Sequence, residues 1–285
     1  MTTASIEQAT IADPERVNGV LHYLAGKDQH PVTYTYQPPE GTPAQSGVYA
    51  RFTVPIHNAR PIVADLSLDR NGFVVTRHDS AVTNFYDPEE VRQVYFPEVE
   101  RLVLELTGAA QVHVFDHNVR SRPMAKRREN GAQEPVRLAH NDYTLKSAPQ
   151  RVRDLLPGQA DALLRNRFAV MNVWRPIRGP VQESPLAVCD AQSMVQEDFV
   201  AHVLKYRDRE GEVYSVAFNP NHRWYYLPNQ RKEEVLVFKG YDSDRRCARF
   251  TAHSAFEDPT SPPDAAPRES IEVRTLVFFA PGAAP

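Results

Sequence analysis

From residue 168 to residue 279 one strand-like segment follows another, and this constrains the fold more than any other feature of the chain. Phe168 to Trp174, Val200 to Tyr206, Glu212 to Phe218, Val235 to Tyr241, Arg249 to Phe256 and Ser270 to Phe279 are short and separated by turn-rich stretches. Six such runs are enough for a roll made of two sheets. Alternation leads into and out of the polar turn Arg207-Asp208-Arg209-Glu210-Gly211, which predicts a hairpin. The Pro-rich tract from Asp258 to Asp264 reads as a loop between the last two strands.

Upstream the signals differ. Residues 1–60 are rich in Pro, Thr and Tyr, with period-two runs such as Val32-Thr33-Tyr34-Thr35-Tyr36, and predict extended segments laid across a domain. Asp87 is placed to cap a helix that begins at Pro88, buries Val91, Tyr95, Val99 and Leu102, bends at Pro97 and stops at Gly108. A strand from Gln111 to Phe115 follows, and a second helix starts near Ser147 and ends at Pro157-Gly158. The fold class expected is mainly β with flanking helices (α+β). The organisation expected is one domain over residues 1–285, with 1–85 as an N-terminal extension packed on a core of 86–285.

A formal charge of −3 gives no excess of Lys and Arg for a nucleic-acid or anionic-membrane surface, so a small molecule is the natural partner. Cys189 and Cys247 are too few for a disulfide framework, which fits a reducing compartment, the cytoplasm by default. Met1 to Glu7 lacks a basic stretch leading into an apolar one, and no eighteen consecutive residues are apolar. Neither export nor a membrane span is expected, and the oligomeric state stays open.

The candidate chemistry starts at His140-Asn141-Asp142. Residues two apart in a strand share a face, so His140 and Asp142 can aim into one cavity while Asn141 points away. Two imidazoles and a carboxylate are the set that holds non-haem Fe(II) with positions left open for oxygen. For the third ligand, His253 lies on the penultimate strand, whereas His222 precedes these strands and follows a turn; His253 is the preferred candidate. His113 and His117 share a face of a strand, but at roughly 3.3 Å per residue they stand about 13 Å apart, so they are read as structural.

In the last strand, alternation puts Arg268, Ser270, Glu272 and Arg274 on one face and Ile271 and Val273 on the other. An inward Arg needs an anion, and its planar fork suits a carboxylate. A dicarboxylate cosubstrate would meet that need; an internal pair with Glu272 would meet it too. Arg274 is preferred over Arg268 because it directly precedes the apolar end of the strand. Tyr143, Trp174, Trp224 and Tyr225 are candidate substrate-lining residues, against the plainer reading that they are core.

Several separate motifs together resemble the CmcJ/NvfI/AsaB group of hydroxylases and desaturases of secondary metabolism. They are Leu138 to Thr144, Arg151 to Leu156, Asn172 to Ile177, Ser184 to Ala187, Asn221 to Tyr226 and Arg268 to Arg274, spread from about residue 85 to the C-terminus. The resemblance implies a double-stranded β-helix (jelly-roll, cupin-like) core that uses Fe(II), 2-oxoglutarate and O2. It implies hydroxylation or desaturation of a small molecule, with His140, Asp142 and His253 on the metal and Arg274, aided by Arg268 or Ser270, on the cosubstrate. A cupin-like binding protein or a catalytically silent partner protein is the alternative.

Overall fold

Fourteen strands are drawn from nearly the whole length of residues 15–285, which are the residues described by this computed structural model. They are β1 (Arg16–Leu24), β2 (Val32–Tyr34), β3 (Tyr49–Asn58), β4 (Phe73–Arg77), β5 (Gln111–Ser121), β6 (His140–Asn141) and β7 (Phe168–Pro176). There follow β8 (Leu186–Cys189), β9 (Phe199–Lys205), β10 (Glu210–Val216), β11 (Trp224–Tyr226), β12 (Glu234–Asp242), β13 (His253–Ala255) and β14 (Glu269–Phe278). The helices are α1 (Pro88–Glu90), α2 (Phe96–Thr107), α3 (Arg122–Arg127), α4 (Ser147–Leu155) and α5 (Ala160–Leu163). The protein is therefore mainly β with few helices. The reading of Met1 to Glu7 lies outside the described residues.

Two sheets organise the chain: nine strands in the order β1-β3-β11-β8-β13-β6-β10-β9-β2, and five in the order β4-β12-β7-β14-β5. Every residue of β7 is buried, because the strand is central and covered on both faces. Its Ala169, Met171 and Val173 pack with Val99, Leu102 and Val103 of α2. Its Trp174 faces the other way, into a cluster that joins Phe238 of the five-stranded sheet to Leu186 and Val188 of the nine-stranded one. Side chains from both sheets thus share one interior, and the site described below sits in it.

Several sequence expectations differ from this arrangement. Within residues 15–85, β1, β2 and β3 are members of the nine-stranded sheet, and β4 pairs with β12 in the other. The helix expected from Pro88 is capped by Asp87, whose side chain accepts from the Glu89 and Glu90 amides, and it ends at Gly108 with φ +63°. Its irregularity, however, lies over Val91–Tyr95, where the turns widen to π geometry. Pro97 has no N–H and its ring presses on the carbonyl of residue 93, so the strain is relieved in the preceding turn. The segment from Arg249 to Phe256 contributes only three strand residues, and β9 and β10 form the expected hairpin. No helix among the described residues is long and apolar enough to cross a membrane.

Candidate active site

His140 and His253 are placed together by strand pairing. They are directly opposed partners in the antiparallel contact between β6 and β13, so their side chains leave the sheet on one face and their ring centroids are 4.3 Å apart. Asp142 follows β6 immediately. Its Oδ1 lies 3.5 Å from His140 Nε2 and 3.9 Å from His253 Nε2. One nitrogen from each ring and one carboxylate oxygen fall within 4.8 Å of one another.

The orientation of each donor is fixed from behind. His140 Nδ1 is 2.7 Å from the Leu138 carbonyl and His253 Nδ1 is 3.2 Å from the Thr251 carbonyl. A carbonyl only accepts, so each Nδ1 carries the proton and each Nε2 turns a lone pair toward Asp142. His253 is 3% exposed, and burial followed by the neighbouring charge of His140 takes its pKa down to about 3. At Asp142 burial opposes ionisation, but the neighbouring His140, His253 and Arg274 hold the carboxyl well below its ordinary range. Asn172, on β7, donates its Nδ2 to Asp142 Oδ2 at 2.7 Å, which leaves Oδ1 facing the imidazoles. Two imidazoles and a carboxylate with one oxygen turned toward them are a donor set that fits a divalent first-row metal.

Asn141, fully buried between the two donors of its own strand, ties the site together. Its Nδ2 donates to the carbonyls of Tyr143 and Gly240, and its Oδ1 accepts from the Thr251 amide. Thr251 in turn holds His253. Asn141 therefore spans the first donor strand, β12 and the approach to β13.

Two cavities adjoin these donors and have no lining residue in common. The smaller is a lumen of about 20 Å³ bounded by His140, His253, Trp174, Arg120, Arg268 and Glu272. Arg268 is 3% exposed and donates to the Ser184 carbonyl, yet among the described residues no carboxylate pairs with its guanidinium, and its Nε has no partner. The Ser270 hydroxyl, also buried, has none. Burial, and then the charge of Arg120, bring the Arg268 pKa down to about 9. Glu272 in the same lumen is shifted upward by burial and by Asp142. The larger cavity, about 130 Å³, is lined by Asp142, Tyr143, Arg151 and Arg274 together with the β9–β10 hairpin.

Not all sequence candidates gather here. Arg274 shares the face of Arg268, but its Nε donates to Asp116 Oδ1 at 2.7 Å, so it already has the anion that Arg268 lacks. Trp224 is wholly buried with its indole donating to the Tyr23 hydroxyl, and Tyr225 packs against His57 and Phe73; neither lines a cavity here. They hold the nine-stranded sheet together. His222 is bonded to Asp198 and Tyr23, and His117 lies against Phe96 of α2. The roles of Asn172 and Asn141 escaped sequence reasoning. The signal for Asn172 was a polar residue inside an otherwise apolar central strand. Asp69, Asp242 and Cys247 form a second grouping of potential donors, but Lys239 Nζ sits among them at 2.7 Å from both carboxylates.

A family model described as an oxidoreductase/YMDC permease-like domain matches residues 21–278. The Fe(II)/2-oxoglutarate-dependent dioxygenase nvfI of Aspergillus novofumigatus is 34% identical over 258 residues, which is 86% of this chain and 90% of the relative. The hydroxylase/desaturase efuI of Hormonema carpetanum is 33% identical over 255 residues, 78% of this chain and 85% of the relative. A solved structure of the iron and alpha-ketoglutarate-dependent endoperoxidase NvfI matches with a TM-score of 0.84 at 30% identity, over 93% of this chain and 99% of that one. With these likenesses extending across both sheets and the donor set between them, the chain belongs to the family of Fe(II)/2-oxoglutarate-dependent dioxygenases that includes nvfI and efuI.

Proposed function

We propose that His140 Nε2, Asp142 Oδ1 and His253 Nε2 hold Fe(II), and that Arg268 with Ser270 receives the far carboxylate of 2-oxoglutarate. The reaction is oxidation of an unactivated C–H of a small molecule, by hydroxylation or desaturation, in the cytoplasm. The observation that carries this reading is the convergence of the three donor atoms with both Nδ1 protons held by carbonyls. Fe(II) with 2-oxoglutarate and O2 supplies the oxidising power, the cosubstrate leaving as succinate and CO2.

The chain supplies placement. Asn172 keeps one oxygen of Asp142 occupied, so the carboxylate offers a single donor. Arg268 brings a buried guanidinium with an unused Nε, and Ser270, two residues on, an unused buried hydroxyl, both donors of the kind a carboxylate takes. The lumen is about 20 Å³ as it stands, smaller than a five-carbon diacid. The shared interior between the sheets excludes water from that end of the site. We read the two sheets as a double-stranded β-helix core, and residues 15–285 as one folding unit. The support is that donors 113 residues apart, 140 and 253, meet as paired residues of adjacent strands.

The test is anaerobic titration of the protein with Fe(II) and 2-oxoglutarate. A weak visible charge-transfer band should form in the wild type and be absent from His140→Ala and His253→Ala. A wild type that forms no band, and no succinate with any substrate, would sink the proposal.

A further inference from the structure

The larger cavity carries information about the substrate, on the understanding that the metal and cosubstrate occupy the positions proposed above. It reaches Asp142 but neither His140 nor His253, and so gives onto the donor set separately from the lumen that holds Arg268. Most charged groups around it have partners within the chain. Arg274 is bonded to Asp116, Glu210 is paired with Lys205, Glu212 accepts from the Thr144 hydroxyl, and Asp154 accepts from Gln150. Lys146 and Arg209 on the same lining are exposed and meet no carboxylate among the described residues, Arg209 lying over the Tyr206 ring. Two groups lie further in. Arg151, half-buried on α4, meets no carboxylate among the described residues and has the Phe115 ring under its guanidinium at 5.8 Å. Tyr143, 4% exposed and next to Asp142 in sequence, lines the cavity, and its hydroxyl has no hydrogen-bond partner among the described residues.

Arg151 and the Tyr143 hydroxyl both open on this cavity, so an anion entering it would meet a guanidinium without a carboxylate and a hydroxyl free to donate. Arg274 on the same wall is neutralised by Asp116 and so does not compete for the ligand. We propose that this wall receives a carboxylate of the substrate, held by Arg151 and the Tyr143 hydroxyl, so that the C–H to be oxidised belongs to an organic acid. The carboxylate fixes one end of the molecule and brings its carbon skeleton over Asp142, where the metal lies. The same chemistry would suit a carboxylate of 2-oxoglutarate, and the experiment has to separate the two sources.

Isothermal calorimetry of the Fe(II)- and 2-oxoglutarate-loaded protein, kept anaerobic, with cyclohexanecarboxylate and cyclohexanecarboxamide as probes, makes that separation. The acid should bind about tenfold more tightly than the amide, as expected for a charge-assisted hydrogen bond. Arg151→Gln should abolish the preference and Arg151→Lys should retain part of it. Affinity for 2-oxoglutarate, measured calorimetrically in the same variants, should stay at the wild-type value, and an unchanged thermal midpoint verifies that the Gln variant is folded. Equal binding of acid and amide by the wild type would overturn the inference. So would an Arg151→Gln variant that loses 2-oxoglutarate affinity by the same factor as acid affinity, since the wall would then be the cosubstrate's. A missing visible band in the wild type bears on the iron assignment alone, because the acid and amide comparison is read by heat.

Discussion

Individual side chains in the site differ in what they already have. Arg268 is buried with an orphaned Nε, whereas Arg274 is engaged by Asp116, and this difference decides which of the two is open to a further anion. Arg268→Gln should raise the KM for 2-oxoglutarate at least tenfold, the loss of a charge-assisted contact being worth about 1.5–3 kcal/mol. Arg274→Gln should change it by no more than about twofold, the size of an effect on a group already paired. Steady-state succinate formation compares the two. Asn172→Ala releases Asp142 Oδ2, and metal affinity should fall by roughly 10–100-fold, the range for lost partners of metal ligands. Fe(II) titration of the visible band measures it, and Asn172→Asp, which cannot donate when ionised, should not rescue. Glu272→Gln removes a negative charge from the lumen and should lower the KM for 2-oxoglutarate.

At the scale of elements, the turn before β4 is joined to the metal face by backbone. Gly72 has φ +82°, and a Cβ placed there would lie 2.3 Å from Thr251 Oγ1, which donates to the Gly72 carbonyl. Thr251 also holds His253 through its own carbonyl. Gly72→Ala should therefore cost about 1–3 kcal/mol in urea unfolding, and it should weaken Fe(II) binding although residue 72 touches no donor. The same elements show how far the sequence could be read. β7, β12 and β14 are central strands of nine or ten residues, long enough for their apolar runs to be recognised. β6, β8, β11 and β13 have two to four residues and exist because neighbours complete their hydrogen bonding, so no local pattern marks them. β3 escapes for another reason. Its Pro55 argues against an interior strand, yet it runs between β1 and β11. At the site, same-face alternation was visible for His140 and Asp142 and for Arg268 and Ser270. What was hidden was occupancy: only a tertiary partner, Asp116, shows that Arg274 is committed.

Across the whole molecule, charges buried between segments make the fold sensitive to acid. Lys239, with no exposed surface, donates to Asp69 and Asp242, and Arg167 contacts the same two carboxylates. Lys239→Met should cost about 3 kcal/mol in urea unfolding, because it leaves a buried carboxylate short of a partner. Burial opposes ionisation of Asp69 and of Asp198. Lys239 and Arg167 at the first, and Lys27, the Val195 amide and His222 at the second, nevertheless bring both below the ordinary 3.8. The unfolded chain then takes up these protons first. Stability from both carboxyls is whole above about pH 4 and drains as pH falls through the lower folded-state values. Urea midpoints at pH 6 and pH 3 should differ in that sense, and a midpoint that did not fall at pH 3 would contradict it.

The division of the interior into a lumen and a larger cavity has a consequence for how such a chain can diversify. The donors of the lumen sit on paired strands, where a shift of one residue would turn every side chain over. The outer cavity takes much of its wall from the β9–β10 turn, and residues 207–210 there are exposed. Insertions and substitutions at that turn can reshape the doorway while register and oxidising centre are inherited unchanged. A library confined to residues 206–211 is accordingly the place to look for new substrates.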